Sequence, residues 1–271
     1  MPEIPMRGEK RVFHAGERAV QDRAGVSGEW REKAAGFIRG EMSDQHRSFL
    51  DGLPLLFVGL LDPEGQPWPT PLFGAPGVVV ARSPRVLVLS HAPCLADILG
   101  LDMTPGAAVG LLGIDLSTRQ RVRVNGRIGA SDSGCLAVAV DQAFGNCPQY
   151  IQARDFGAPR GTRPPRAART DVGSKAIRHI IARADTFFIA SRGPRLARGD
   201  GTAIDVSHRG GRPGFLGMNA DGSLSFPDFR GNRFFNTLGN IEADGRVGLF
   251  VPDFATGAAV LVTGQATIDW T

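Results

Sequence analysis

The feature that most restricts how this chain can fold is a framework of glycines and apolar residues that occurs twice. Three pairs of segments carry it: residues 74–78 and 211–215, residues 109–112 and 247–250, and residues 56–58 and 187–189. Asp115 also matches Asp253. Shared glycines and apolar positions indicate that one backbone geometry and one kind of core are used in both copies. The sequence therefore predicts two similar structural repeats.

Short apolar segments separated by turn signals make up much of the chain. Residues 53–61 form an apolar run that ends at a turn over residues 62–65, and a second strand starts near Pro67, which predicts a β-hairpin. Further strands are predicted at residues 78–80, 86–89, 108–112, 122–128 and 186–191. A series of this kind is typical of a barrel or a sandwich. We expect a mainly β fold with helices, of the β-barrel or α+β class.

The spacing of apolar residues predicts helices at residues 15–24, 28–38, 95–101, 131–152 and 172–183. The polar N-terminus is expected to be an arm of short helices over the main body; it carries Gln21, and His14 in it should be solvated. Residues 157–169 are rich in Pro, Gly and Arg without periodicity, which indicates a linker or a long exposed loop.

These patterns divide the chain into four parts. We expect an N-terminal helical arm at residues 1–44, a first barrel repeat at 45–130, connecting helices with a Pro- and Arg-rich loop at 131–183, and a second barrel repeat at 184–271 that carries the main ligand loop.

Composition places the chain among globular proteins. Its 271 residues are 42% hydrophobic, which is enough for a sizeable core. There is no run of about 18 apolar residues, and the charged start is not typical of a signal peptide, so we expect a cytoplasmic protein with no membrane partner. Cys94, Cys135 and Cys147 lack paired spacing, which favours buried, reduced thiols and no metal site.

Arginine dominates the positive charge. The net charge is +4, and all but three of the 31 basic residues are arginine. This bias is compatible with a GC-rich genome or with a phosphorylated ligand, which arginine binds through its planar fork of donors. The arginines are interspersed with acidic residues, so we expect no nucleic-acid partner.

One glycine-rich stretch concentrates polar chemistry. After the strand-like residues 204–206, a hydroxyl, an imidazole and two guanidinium groups stand among glycines over residues 207–214. Glycines let backbone N–H groups approach a ligand, so the stretch is interpreted as an anion-holding loop, with a solvated hairpin turn as the alternative. At the matched positions the first copy carries Thr70, Pro71, Leu72 and Ala75. We therefore expect ligand binding in the second copy.

The reverse contrast occurs on a later strand. Arg119, Arg121 and Arg123 alternate in the first copy, against uncharged residues in the second. A period of two places all three on one face of a strand. They form either a solvated or charge-guarded edge, or a junction between the copies from which they reach a ligand held by the second copy.

Three motifs together resemble the FMN-binding split-barrel family related to pyridoxamine 5'-phosphate oxidase. They are Ser207 to Phe215, Phe144-Gly145-Asn146-Cys147-Pro148-Gln149-Tyr150-Ile151-Gln152, and Pro227-Asp228-Phe229-Arg230-Gly231-Asn232 with Phe235-Asn236-Thr237-Leu238-Gly239-Asn240. The resemblance extends over nearly the whole chain from about His14. It implies a tandem duplicated FMN-binding split barrel, with flavin at an interface between barrels, within the chain or in a homodimer.

The resemblance also implies a set of cofactor-binding residues. They are Ser207, His208, Arg209, Gly210, Gly211, Arg212, Pro213, Gly214, Pro227, Asp228, Asn232, Asn236, Thr237, Arg121, Gln149 and Tyr150. Arg212 corresponds to a flavin-contacting arginine, and residues 213–217 to a strand along the flavin ring. Residues 235–237 align with a phosphate-binding Ser-Arg-Lys segment, so its cations are missing here. Arg209, Arg233 and Asn232 are candidate replacements.

The function implied by the resemblance is that of an FMN-dependent oxidoreductase acting on a small molecule, with a separate NAD(P)H- or ferredoxin-linked reductase as a possible electron donor. The substrate-binding tail of the oxidase has no counterpart at residues 269–271, so vitamin B6 oxidation is not expected. The alternative is a non-catalytic protein that binds or senses flavin or haem. His208 has two open roles, as a donor near the ligand or in a structural hydrogen bond.

Overall fold

The structure is a computed structural model that describes residues 12–132, 134–145, 148–155, 166–194 and 201–270. The helices in these segments are α1 (Ala15–Arg23), α2 (Gly28–Ala35), α3 (Asp44–Asp51), α4 (Ala96–Leu99), α5 (Lys175–Arg183) and α6 (Asn236–Ala243). The strands are β1 (Leu55–Leu61), β2 (Pro67–Phe73), β3 (Val79–Ser83), β4 (Val86–Leu89), β5 (Ala108–Asp115), β6 (Gln120–Asp132), β7 (Cys135–Gly145), β8 (Thr186–Pro194), β9 (Thr202–Gly210), β10 (Gly217–Met218), β11 (Leu224–Ser225), β12 (Arg246–Asp253) and β13 (Ala258–Gln265). The predicted mainly β fold with helices is confirmed.

The strands form two principal antiparallel sheets. One has seven strands in the order β2-β1-β5-β6-β7-β4-β3, and the other has four in the order β13-β12-β8-β9. Strands β10 and β11 form a separate small hairpin. No helix in the described part of the chain is both long and apolar enough to cross a membrane.

Segments that match in the sequence pair in the same register. Phe57 on β1 lies opposite Leu112 on β5, and Phe188 on β8 lies opposite Phe250 on β12. The turns after β5 and β12 are also alike. The Thr118 hydroxyl donates to Asp115 at 2.7 Å, and the hydroxyl of Thr256, its match in the second copy, donates to Asp253 at 2.8 Å. Two copies of one backbone geometry would produce this pairing.

The two sheets approach each other through a pair of matched glycines. A Cβ added at Gly110 on β5 would lie 2.6 Å from the carbonyl oxygen of Ile204 on β9. A Cβ added at Gly248 on β12 would lie 1.9 Å from that of Pro67 on β2. Only glycine allows such backbone contact. Phe57 and Phe188 stack with ring centroids 3.5 Å apart, in a core shared by both sheets.

The helix prediction over residues 131–152 is wrong, because half of that range is strand β7 (Cys135–Gly145). Leu136, Val140 and Phe144 are four residues apart, a spacing that places side chains on one face of a helix and equally of a strand. Strand β7 pairs with β6 on one side and β4 on the other, which fixes the extended form. The predicted boundary at residue 130 consequently falls inside β6.

The N-terminal arm is more deeply embedded than expected. Helices α1 and α2 are confirmed, but the expectation that His14 is solvated is wrong. His14 is 7% exposed, and Gln21 is fully buried. Helix α1 packs against α6 at backbone distance, since a Cβ on Gly16 would lie 2.2 Å from the carbonyl oxygen of Gly239. This contact draws the polar face of α1 into the interior.

The remaining expectations concern cysteines and a loop. Cys94 and Cys135 are half-buried rather than buried. Cys147 lies outside the described residues, as does most of the loop predicted at 157–169.

Candidate functional site

A cleft lies where β6 of the larger sheet crosses β9 of the smaller one, and residues 227–237 close one side of it. Its volume is about 770 Å³, part of which is open solvent. Twelve of the sixteen predicted site residues line it: Arg121, Gln149, Tyr150, Ser207, His208, Arg209, Gly210, Pro227, Asp228, Asn232, Asn236 and Thr237. The structure thus brings together residues from four separate parts of the sequence.

The other four predicted residues, Gly211, Arg212, Pro213 and Gly214, do not line this cleft. Arg212 is exposed, and Pro213 borders a separate hollow beside Arg183. The loop interpretation of residues 207–210 is corrected, because they belong to β9 and pair with β8. Residues 213–216 form a turn and bend rather than the expected strand. The glycine-rich turn therefore begins after strand β9, which carries the polar side chains of residues 207–209.

The wall formed by β6 presents arginines toward β9. Arg123 is 6% exposed. It donates to Ser207 Oγ at 2.6 Å and to Asn236 Oδ1 at 2.9 Å, and it forms an ion pair with Asp205 at 3.0 Å. Arg121 lies two residues earlier on the same face and contacts His208. Arg119 is different, because it lies in the turn before β6 and is exposed.

The N-terminus of α6 opens onto the cleft. Asn236 and Thr237 occupy its first turn, and the residue before the helix, Phe235, makes no side-chain capping hydrogen bond. The first N–H groups of a helix have no partner within it, and together with the helix dipole they favour an anion. This is the segment predicted from the resemblance to contact phosphate, and the start of the helix offers backbone donors there.

Positive charge prevails among the lining residues, which include four arginines and one carboxylate. Arg209 forms an ion pair with that carboxylate, Asp228. Arg123 is neutralised from behind by Asp205. Arg233 has no ion pair with any residue that the structure describes. The net field therefore favours an anionic ligand.

His208 is a buried, neutral hydrogen-bond donor. Burial, followed by the charges of Arg121, Arg209 and Arg154, holds the pKa of His208 well below its usual value. Its Nδ1 lies 3.4 Å from Arg121 Nη1, and because a guanidinium cannot accept a hydrogen bond, the proton is assigned to Nε2. That Nε2 is buried without a partner among the described residues. A ligand acceptor could satisfy it.

A second buried network supports the cleft from behind. Glu17 on α1 accepts from Asn236 Nδ2 at 2.6 Å and from the backbone N–H of His14 at 2.8 Å. Burial raises the pKa of Glu17 to about 8. Because Asn236 also accepts from Arg123, α1 is linked through one side chain to the wall of the cleft.

Backbone strain concentrates at this site. Four described residues other than glycine have a positive φ, and three of them line the cleft: Tyr150 at 66°, Arg233 at 56° and Phe235 at 59°. Left-handed backbone is unfavourable for residues with a Cβ, and its clustering is typical of functional sites. Gly210 permits part of it, since a Cβ there would lie 2.0 Å from the Tyr150 carbonyl oxygen.

Sequence reasoning missed several residues of the site. Phe229 and Phe235 line the cleft without having been assigned to it, and Glu17 and Asp205 lie behind it. A signal for Glu17 was available, since it lies three residues after His14 as the partner in a capping box. No local pattern could show that α1 reaches α6.

Comparisons with known proteins give distant similarities. No family model matches the chain, and no curated protein matches it. HupZ of Group A Streptococcus aligns with 43% of this chain and 99% of its own, at 10% identity and a TM-score of 0.31. An F420 reductase aligns with 37% of this chain and 95% of its own, at 14% identity and a TM-score of 0.25.

Proposed function

We propose that the protein is an FMN-binding, flavin-dependent oxidoreductase of the pyridoxamine 5'-phosphate oxidase-like type, built as a tandem split barrel and acting on a small molecule. The observation that carries the proposal is the cleft between the two sheets, where an uncapped helix N-terminus and a surplus of arginines converge. The motifs that resemble the family supply most of its lining. An electron donor could be a separate NAD(P)H- or ferredoxin-linked reductase.

The residues present fit both ends of FMN. The amides at the start of α6, with Arg233 beside them, would hold the phosphate. One buried donor without a partner among the described residues, His208 Nε2, would meet an acceptor atom of the flavin ring. Redox chemistry at such a site is that of the flavin, which takes up and passes on electrons.

The protein's own contribution is binding and electrostatics. Neutral His208 would donate a hydrogen bond from Nε2 without adding a charge, since its pKa lies well below neutral pH. Arg123, held by Ser207, Asn236 and Asp205, keeps the wall of the cleft rigid. The surrounding arginines would stabilise negative charge on a bound ligand.

The test is the absorbance of purified protein. An oxidised-flavin spectrum, present at isolation or after adding FMN, that bleaches with dithionite or NAD(P)H supports the proposal. Protein that stays colourless after FMN is added overturns it. A bound flavin that neither NAD(P)H nor any reductase can reduce would instead favour a non-catalytic binding protein.

A pair of arginine variants tests the position of the phosphate. Arg233→Ala should weaken FMN binding by at least about tenfold and leave riboflavin binding unchanged, because only FMN carries the phosphate. Arg212→Ala is the matched control, an exposed arginine outside the cleft that should leave both affinities unchanged. Equal effects of the two variants would contradict the assignment of the cleft.

A further inference from the structure

Two exposed aromatic rings stand in the lining of the cleft. Tyr150 and Phe229 stack with centroids 5.1 Å apart and planes inclined by 27°. They are 41% and 38% exposed. Solvent-exposed apolar surface of this kind at a cleft is typical of ligand contact.

The pair is held in place by unfavourable local geometry. Tyr150 has a left-handed backbone, with φ at 66°, although it carries a Cβ. Its carbonyl oxygen lies so close to Gly210 that no larger residue fits there. Its hydroxyl donates to the carbonyl oxygen of Arg230 at 2.9 Å, which ties it to the segment that carries Phe229. Strain that leaves rings exposed to water does not serve stability, and so it points to function.

The charged residues next to the rings indicate which polar group an aromatic ligand would carry. Arg209 forms an ion pair with Asp228, which immediately precedes Phe229 in the chain. Arg121 lines the same cleft. An incoming carboxylate could share the guanidinium of Arg209 with Asp228, or displace it, through paired hydrogen bonds.

The two ends of the cleft differ in chemistry. The α6 end is polar and contains the buried Thr237 and Ser207, whereas the Tyr150–Phe229 pair is open to solvent. A cofactor retained through many reactions suits the buried end, and a ligand that enters and leaves suits the open one.

We propose that the Tyr150–Phe229 pair binds the ring of the substrate, which is a planar aromatic acid, and that Arg209 binds its carboxylate. This inference rests on the proposed function, since it assigns the α6 end to FMN. Aromatic rings stack in offset or edge-to-face geometry, and the exposed faces of this pair offer both.

The experiment uses the fact that Tyr150 is the single tyrosine of the chain. Protein made with 3-fluorotyrosine therefore has one fluorine NMR resonance, and that resonance reports on the cleft. FMN-loaded protein is titrated with 2-naphthoate, with cyclohexanecarboxylate as an acid without an aromatic ring, and with 2-naphthylmethanol as a ring without an acid. We expect 2-naphthoate to shift the resonance saturably and to bind more tightly than either analogue.

Variants separate ring binding from charge. Phe229→Ala should lower the affinity for 2-naphthoate by about 2- to 12-fold, which corresponds to the loss of one stacking contact. Phe73→Ala removes another exposed ring, which lies outside the cleft, and should leave the binding of 2-naphthoate unchanged. Arg209→Gln should lower the affinity for 2-naphthoate but not the affinity for 2-naphthylmethanol.

Three results would overturn the proposal: equal affinity for cyclohexanecarboxylate, no effect of Phe229→Ala, or displacement of 2-naphthoate by FMN, which would assign the rings to the cofactor. Failure of the proposed function is measured separately, by flavin absorbance. If no FMN binds, the same titration without FMN still decides whether the rings hold an aromatic acid.

Discussion

The two junctions between the sheets share a backbone arrangement and differ in chemistry. At the first junction β6 crosses β9, and at the second β13 meets β2. Arg123 and Asp205 form a buried ion pair at the first, whereas the matched residues at the second are Leu261 and Trp68. The strands pair alike in both copies. Charge at the first junction is therefore not needed to build the frame, which is a reason to assign it to ligand binding.

The strongest test of this comparison replaces the buried arginine of the first junction with leucine, the residue type at the matched position of the second. Arg123→Leu leaves Asp205 buried without its cation, and we expect a loss of about 3–5 kcal/mol in the free energy of unfolding. Urea denaturation monitored by circular dichroism measures it. The double variant Arg123→Leu/Asp205→Asn, which removes the stranded charge, should recover part of the loss. A single variant as stable as the parent would contradict the prediction that Asp205 needs its ion pair with Arg123 for the stability of the fold.

The glycine contacts between the sheets should be sensitive at both junctions. Gly248→Ala places a Cβ 1.9 Å from the carbonyl oxygen of Pro67, a backbone atom that cannot move freely. We expect a loss of about 1–3 kcal/mol, as in other overpacked interiors. Gly264→Ala is the matched control on the neighbouring strand, because nothing lies within 4 Å of its added Cβ. Similar denaturation midpoints for the two variants would contradict the close approach of the sheets.

Sequence patterns predicted many of the strands because strands leave local signals, whereas most of the cleft residues came from the resemblance of three motifs. The turn at residues 62–65 connects two strands as predicted, and the polar residues 207–210 line the cleft, although they belong to strand β9 and not to a loop. The pattern failed at β7, because a spacing of four suits strands as well as helices. It also failed at His14 and Glu17, whose burial depends on the docking of α1 on α6. Contacts between distant segments have no local signature.

The α1–α6 contact adds a titratable group behind the first junction only. Burial raises the pKa of Glu17 from its usual value of 4.5 to about 8. Between these values the folded protein keeps a proton that the unfolded chain releases, so stability is greatest below pH 4.5 for this group and falls as the pH rises to 8. The slope should be at most about 1.4 kcal/mol per pH unit.

Denaturation midpoints across pH 5–8 measure this slope. Glu17→Gln keeps the side-chain size and removes the titration, so its stability should depend less on pH than that of the parent. Glu29→Gln on α2 alters an exposed carboxylate and should follow the parent curve. A Glu17→Gln curve parallel to the parent would mean that Glu17 titrates normally in the folded protein.

The smallest effect is expected at the matched turns before β6 and β13. Arg119 has φ at 58°, and the second copy has Gly257 with φ at 76° at the same position. Left-handed backbone costs a residue with a Cβ more than it costs glycine, although glycine also makes the unfolded chain more flexible. Arg119→Gly should therefore stabilise the protein by about 0.5–1 kcal/mol, and Gly257→Ala should destabilise it by about 1 kcal/mol. Thermal unfolding of both variants measures the difference. If both variants shifted the unfolding temperature in the same direction, the two turns would differ in backbone strain. The similarity of the two copies would then be limited to their strands.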